Sequence, residues 1–374
     1  MRHKKVKAGI IGCGAISPAY FKGCPAFEIL DIVACADLDL EKAKARASEF
    51  NVPKVYTVKE LLDDPEIELV VNLTIPKAHV QVDIAALEAG KHIFSEKPFS
   101  LNRVEGKKVL DLAASKKLLV GCAPDTFLSG GAQTCRKLIA DGWIGTPIGA
   151  AAFMTCHGHE SWHPSPEFYY EAGGGPMFDM GPYYLTALIN LLGPVKRVSG
   201  ATKVSFPERK ITSQPKFGKM IKVEVPTHIN GIMEFANGVV GTVLMSFDVW
   251  KAQLPYIEIY GTQGTLSTPD PNCTGGVVHV FRHDSKDWTQ IPLTHPYGND
   301  AYSGYGRGIG VADLAYAIRT GRPVRPNGQL AFHVVDIMES VHDAARKDKY
   351  IDLTTTCLQP DPLPLGLTFG QLDE

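Results

Sequence analysis

The chain lacks any apolar run as long as a transmembrane helix needs, so no stretch of it reads as a membrane span. It also lacks a surplus of one charge sign. Thirty-eight Lys and Arg stand against 40 Asp and Glu, a net charge of −2. That balance supplies no field for nucleic acid or for an anionic membrane surface. Among the eight cysteines there is no C-x-x-C pair, and several sit in apolar, strand-like runs. They read as reduced, buried thiols of a cytoplasmic protein. Internal repeats and low-complexity blocks are missing too. The opening "MRHKKVKAGIIG" is basic and then apolar, but its apolar part is short, has no cleavage site and runs into a glycine loop. It reads as a strand rather than a leader.

What is present is an ordinary globular composition, 44% hydrophobic and 21% charged, over 374 residues, a length that suits two domains. Residues 6–121 alternate two patterns. Strand-like runs cover 6–12, 29–37, 67–75, 91–96 and 117–122, and helix-like segments cover 40–50, 77–90 and 102–116. Such alternation predicts a parallel sheet covered on both faces. After about residue 125 the pattern changes. A helix is expected over 131–141, a strand over 147–157 and a helix near 181–192. β-rich runs then cover 196–204, 221–235, 239–248, 256–268 and 277–281, with turns such as "ANGVVG" and "GTQGTL" between them. This predicts an open, largely antiparallel sheet. Helices near 309–319 and 331–346 follow, and the tail "QPDPLPLGLTFG" is too rich in proline for another.

"GIIGCGAIS" sets Gly12, Gly14 and Ser17 between the first strand and the first helix. Glycines there permit a tight turn and let main-chain amides approach a pyrophosphate at a helix N-terminus. Asp37 ends the second strand, where a carboxylate accepts hydrogen bonds from ribose hydroxyls and repels a 2′-phosphate. The loop therefore predicts a dinucleotide cofactor, NAD in preference to NADP. "SEKPFS" ends the fourth strand, which aims Lys97 at the crevice beyond the strand ends; a surface Lys–Glu pair is the plainer alternative.

"GGGPMFDMGPYYL" (173–185) buries one carboxylate, Asp179, in an apolar run, with Tyr183 four residues on. In a helix opening at 179, those two share a face. Asp179 then also suits the positive end of the helix dipole, and Pro182 suits a first turn. An N-capping Asp and a core Tyr explain the same letters. Together, the glycine loop, the E-K-P at 96–98 and "GGGPMFDMG" resemble the glucose–fructose oxidoreductase/inositol dehydrogenase/MocA family, over about residues 5–350.

The resemblance implies an N-terminal Rossmann domain over 1–125 and a C-terminal α/β domain over 126–374 that binds substrate and forms oligomers. It implies hydride transfer between NAD(P) and a hydroxyl carbon of a sugar, cyclitol or related compound. It extends the cofactor contacts from Gly12, Gly14 and Asp37 to Ala15, Ile16, Leu38, Thr74, Pro76, His79, Glu96 and Lys97. It makes Lys97, Asp179 and Tyr183 the catalytic group. Most relatives carry histidine where Tyr183 stands, although the glucose–fructose oxidoreductase branch resembles this chain in having tyrosine. Either Tyr183, its phenolate stabilised by Lys97, or Lys97 itself, made less basic by burial, then takes the hydroxyl proton.

The substrate side is expected in "TCHGHESWHPSPEFYY" (155–170), dense in imidazoles and aromatic rings that suit a sugar. His157, Trp162 and His163 are its candidates, with Lys97, Asp179 and Tyr183, and His157, His159 and His163 are expected as hydroxyl partners. The three histidines 157, 159 and 163 raise zinc as a rival, but H-x-H-x-x-x-H followed by Pro lacks the helical spacing of a zinc motif, so no metal is expected. A plain aromatic loop is the third reading. Asp125, in the linker "GCAPDTF", is placed at the substrate by the resemblance. Arg307, in "AYSGYGRGIG" (301–310), is either a partner for an anionic substrate group or a surface residue. The expected activity is an NAD-dependent dehydrogenase of a sugar, glycoside or cyclitol, working as a homodimer or homotetramer. An NAD-containing redox-assisted glycoside hydrolase or lyase and a non-catalytic NAD sensor are the alternatives.

Overall fold

The computed structural model describes residues 3–297 and 307–373. The first unit runs β1 (Val6–Ile11), α1 (Ser17–Gly23), β2 (Leu30–Ala36), α2 (Leu40–Phe50), β3 (Lys54–Tyr56) and α3 (Val58–Asp63). It continues through β4 (Leu69–Asn72), α4 (His79–Glu88), β5 (His92–Ser95), α5 (Arg103–Lys116) and β6 (Val120–Cys122). The strands pair in parallel in the order β3-β2-β1-β4-β5-β6. The order reverses between β1 and β4, which opens a crevice at the strands' C-terminal ends. The central strands read as apolar runs because both faces are covered: all four residues of β4 are buried. Helix starts are capped as their sequences suggest. Asp39 accepts from Glu41 N, Thr57 and Glu60 form a capping box, and Asn102 accepts from Glu105 N.

The second unit holds α6 (Gly130–Ala140), β7 (Pro147–Thr155), α7 (Gly175–Asp179), α8 (Gly181–Leu192) and β8 (Val195–Lys203). Then come the small hairpin β9 (Glu208–Lys210) and β10 (Met220–Lys222), and β11 (His228–Phe235), β12 (Val240–Ser246), β13 (Ile257–Gly261), β14 (Gly264–Ser267), β15 (Val278–Arg282) and β16 (Thr289–Ile291). α9 (Ile309–Thr320), α10 (Gly328–Lys347) and β17 (Ile351–Asp352) close the order. The nine-stranded sheet runs β16-β15-β14-β13-β7-β12-β11-β8-β17; β7 and β12 are parallel and the other neighbours antiparallel. α10 runs along β8, and α7 lies on β11 and β12. α8 is buried along its whole length, as an apolar helix must be. The opposite face of the sheet is open. There Ile232 and Val240 are 40% and 50% exposed.

The strands of the parallel sheet all precede residue 125 and the strands of the other sheets all follow it, but the helices cross between the two units. α9 returns to pack on β5 and β6 of the first sheet. Cys122 N donates to Pro326 O, and Gly121 pairs with Asn327. The edge strand β6 leaves apolar surface, and Leu314 of α9 meets Phe94 over Gly121 to cover it. The tail also crosses back: Leu372 is buried, and Asp373 pairs with Arg322 and Arg325.

Candidate active site

The glycine loop leaves β1 at Gly12, whose φ is +102°, and a Cβ there would lie 2.6 Å from Leu73 main-chain atoms. Only glycine fits. Above Gly14 there is open space, and Ser17 Oγ closes the turn by donating to Gly14 O at 2.8 Å. Ala15 is exposed beside it, Ile16 is half-buried, and Leu38 is 99% exposed. Asp37 is oriented rather than free: Oδ2 accepts from Cys13 N at 2.7 Å and Oδ1 from Asp39 N at 2.9 Å. Open space over a glycine turn, next to a fixed carboxylate, fits the pyrophosphate and ribose of a dinucleotide. Thr74 donates to Asn72 Oδ1 from its amide and its hydroxyl, just before Pro76. His79 is buried, its ring nitrogens each 2.9 Å from a carbonyl oxygen, of Pro98 and of Thr74. It braces these two loops and is not open to a cofactor.

Lys97 follows β5. Its Nζ donates to Asp179 Oδ1 at 2.9 Å and to Asp179 O at 2.7 Å, and lies 5.1 Å from the centroid of Tyr183. Glu96 fixes this turn by accepting from Lys97 N and from the buried Tyr20 hydroxyl, both at 2.8 Å. His159 Nε2 stands 3.5 Å from Asp179 Oδ2. Burial pushes the Asp179 carboxyl up, but Lys97 and His159 outweigh it and hold it down at about 2. Burial likewise pushes Lys97 down, and Asp179, Tyr183 and Glu96 reverse that and raise it above its ordinary value. The expected loss of basicity at Lys97 is therefore corrected: its carboxylate neighbour keeps the ammonium charged.

The helix that was to open at Asp179 is two helices. Asp179 ends α7, Met180 intervenes, and α8 begins at Gly181 with no side-chain cap. The capping reading of Asp179 thus finds no bond, and its carboxylate turns to Lys97. Tyr183 is 5% exposed, and its hydroxyl accepts from Arg307 Nη2 at 2.9 Å. The rest of the loop before Arg307, residues 301–306, lies outside the described residues. Asp125 does not face a substrate. It is fully buried, accepts from Gly310 N at 2.8 Å, and stands 4.0 Å from Arg307 Nη1. It secures the first turn of α9, where a carboxylate is favoured.

The imidazole-rich loop divides. His157 stacks on Trp250 at 3.3 Å and meets Phe206 edge-on. It lines a separate cavity of about 450 Å³ with Glu160, Arg209 and Trp250. Gly158, at φ +77°, turns the chain, and His159 then faces Asp179. Trp162, 60% exposed, meets His159 edge-on, and His163 packs on Trp162, Phe168 and Tyr169. His163 Nδ1 accepts from Ser165 N, and burial lowers the ring's pKa. The histidines do not converge. Among the described residues no group of three or more His, Cys, Asp or Glu is placed to hold a metal. Of the three histidines expected as hydroxyl partners, His159 faces Asp179, whereas His157 turns away to Trp250. Strand alternation does not separate the two, since 157 and 159 have the same parity; the turn at Gly158, at φ +77°, does.

Comparison with known proteins fits this arrangement. Residues 6–123 match an oxidoreductase family with an NAD-binding Rossmann fold, and residues 132–267 match the GFO/IDH/MocA C-terminal domain. Levoglucosan dehydrogenase of Pseudarthrobacter phenanthrenivorans is 24% identical over 94% of this chain and 98% of its own. Trans-1,2-dihydrobenzene-1,2-diol dehydrogenase of Bos taurus is 26% identical over 97% of this chain and 98% of its own. Among solved structures, levoglucosan dehydrogenase in complex with NADH and L-sorbose has a TM-score of 0.82 at 23% identity, over 94% of this chain and 99% of that one. At that identity the likeness shows the shared fold.

Proposed function

This chain belongs to the Gfo/Idh/MocA family of NAD(P)-dependent oxidoreductases, and from that premise we propose that it oxidises a secondary alcohol of a sugar, glycoside or cyclitol with NAD, and runs the reverse reduction. The observation that carries this reading is the Lys97–Asp179 ion pair against the face of Tyr183, at the C-terminal end of β5. The names of the relatives, which include levoglucosan dehydrogenase and D-xylose 1-dehydrogenase (NADP(+)), support a carbohydrate substrate. When bound, the nicotinamide supplies the hydride acceptor. The chain's own residues handle position and protons. Gly12, Gly14, Ala15 and Asp37 hold the dinucleotide. Asp179 fixes Lys97, and in this reading both hydrogen-bond the reacting hydroxyl. Tyr183 is the proton acceptor, because Lys97 is kept charged. His159, Trp162 and His163 border the substrate side.

Preference for NAD over NADP rests on the fixed Asp37 carboxylate, which would meet a 2′-phosphate with like charge. A homodimer or homotetramer rests on the open sheet face, since apolar patches of that kind are usually covered. Light scattering tests this at micromolar concentration; a monomeric mass would count against it. All eight cysteines are unpaired, in keeping with a reducing, cytoplasmic setting.

The test of the activity is a screen for NADH formation, followed by absorbance, across sugars, cyclitols, anhydrosugars and methyl glycosides. Glycoside cleavage without NADH accumulation would replace the proposal with a redox-assisted hydrolase. NAD binding with no reduction by any polyol would replace it with a sensor.

A further inference from the structure

The hydroxyl of Tyr183 already has a donor fixed on it. Arg307 Nη2 donates to Tyr183 Oη at 2.9 Å, and the guanidinium carbon lies 5.5 Å from the ring centroid. A guanidinium only donates. The proton of the phenol must therefore point away from Arg307, leaving it free for another acceptor. Arg307 is itself held in place. Gly308, at φ +98°, packs on Cys24 so closely that a Cβ would lie 2.9 Å from Cys24 N. Gly310 N is bonded to Asp125, whose other oxygen, Oδ1, has no hydrogen-bond partner among the described residues and faces Arg307 Nη1 at 4.0 Å.

Among the described residues, the charged and titratable groups around Tyr183 come from several elements. Lys97 and Glu96 follow β5, Asp179 ends α7, His159 and Tyr169 come from the loop after β7, Tyr20 from α1, and Asp125 from the linker after β6. Lys97 and Arg307 are the permanent cations of this group. They are not equivalent. Lys97 is matched by Asp179 at 2.9 Å, whereas among the described residues the carboxylate nearest Arg307, that of Asp125, stands at 4.0 Å. Arg307 is thus the cation whose charge is more fully available to the phenol oxygen.

We propose that Arg307 is a positioning residue for proton transfer: together with Lys97 it stabilises negative charge on Tyr183 Oη, so that Tyr183 and not Lys97 exchanges the proton of the substrate hydroxyl. The inference rests on the dehydrogenase reading above. In oxidation the substrate O–H bond breaks and its proton forms the phenol O–H bond of Tyr183. The C–H bond breaks with the hydrogen and its electron pair passing together, as hydride, to the nicotinamide, and the pair left by the O–H bond forms the carbon's second bond to oxygen. Reduction is the reverse, with Tyr183 returning the proton.

The experiment uses the full chain with Arg307→Met, Arg307→Lys and Tyr183→Phe. In the free protein, the tyrosinate absorbance of Tyr183 is isolated as the difference from Tyr183→Phe and followed against pH. In the loaded enzyme, kcat and KM are followed against pH. Arg307→Met should move both the tyrosinate midpoint and the rise of kcat upward by about one pH unit or more, a loss of about tenfold in kcat below the midpoint. Arg307→Lys should move them less, while KM for substrate and the affinity for NAD change little. A midpoint unmoved in both Arg307 variants would overturn the proposal and leave Arg307 a brace of α9. If Arg307→Met does not fold, Arg307→Lys decides by the same readout. If no alcohol is oxidised, the dehydrogenase reading fails, and the titration of the free protein still decides the role of Arg307.

Discussion

Lys97 binds Asp179 twice, through the carboxylate at 2.9 Å and through the main-chain oxygen of the same residue at 2.7 Å. The second bond does not depend on the carboxylate. Asp179→Asn should therefore keep Lys97 near its place but lose the charge that keeps it protonated. That variant is expected to slow turnover and to raise KM. Lys97→Met should cost about a hundredfold or more in kcat, with NAD affinity, measured by fluorescence titration, largely kept. Loss of NAD binding along with rate would place Lys97 in cofactor binding alone.

The same pair sets a pH window. Asp179 is held at about 2, below its ordinary 3.8, so its stabilising contribution is present above 3.8 and fades as pH falls toward 2. Lys97 is raised above its ordinary 10.5, so its contribution is present below 10.5 and is lost only as pH rises past its raised value. Between those limits the pair does not titrate. Any change of kcat near neutrality must then come from other groups, and Asp179→Asn should not remove it.

Cofactor choice is tested at Asp37. Wild type should bind NAD more tightly than NADP, and Asp37→Ser should narrow or reverse that ratio, read as two dissociation constants. Equal affinity for both cofactors in the wild type would remove Asp37 from the argument.

The two histidines flanking Gly158 should separate in kinetics. His159→Asn is expected to raise KM and lower kcat, because its ring faces Asp179, whereas His157→Asn should leave both nearly unchanged. Activity should also survive treatment with a chelator. Stoichiometric zinc, lost together with activity, would overturn the placement of these rings.

Acid should loosen the C-terminal unit before it reaches Asp179. Burial lowers His333 to about 4, and its Nε2 accepts from Val195 N, so the ring must be neutral. A histidine depressed in this way contributes stability that is present above its ordinary 6.5 and is lost as pH falls toward about 4. Urea midpoints should decline over that range, and His333→Gln should flatten the decline. An unchanged slope in the variant would assign the acid response elsewhere.

The parts of this molecule legible in its sequence are those governed by local rules. The parallel strands show as apolar runs because both faces are buried, and the glycine loop shows because Gly12 admits no other residue. β3 and α3 escaped because three and six residues carry too little periodicity. The helix at 181–192 was legible from its apolar letters, but the break at Met180 was not, because the Lys97 bonds at Asp179 are long-range. Asp125 and Arg307 misled for the same reason. Each finds its role only in a partner on the far side of the chain, and neither stretch announces the other.

That return of α9 to the first sheet has a consequence for the order in which the protein can be completed during synthesis. When residue 125 leaves the ribosome, every strand of the parallel sheet exists, but Phe94 and Gly121 still lack the helix that covers them. At ordinary translation speed that surface waits on the order of ten to forty seconds for α9. The nascent first third is therefore a candidate client for chaperones, and a chain cut after residue 125 should be sticky even though its secondary structure can form.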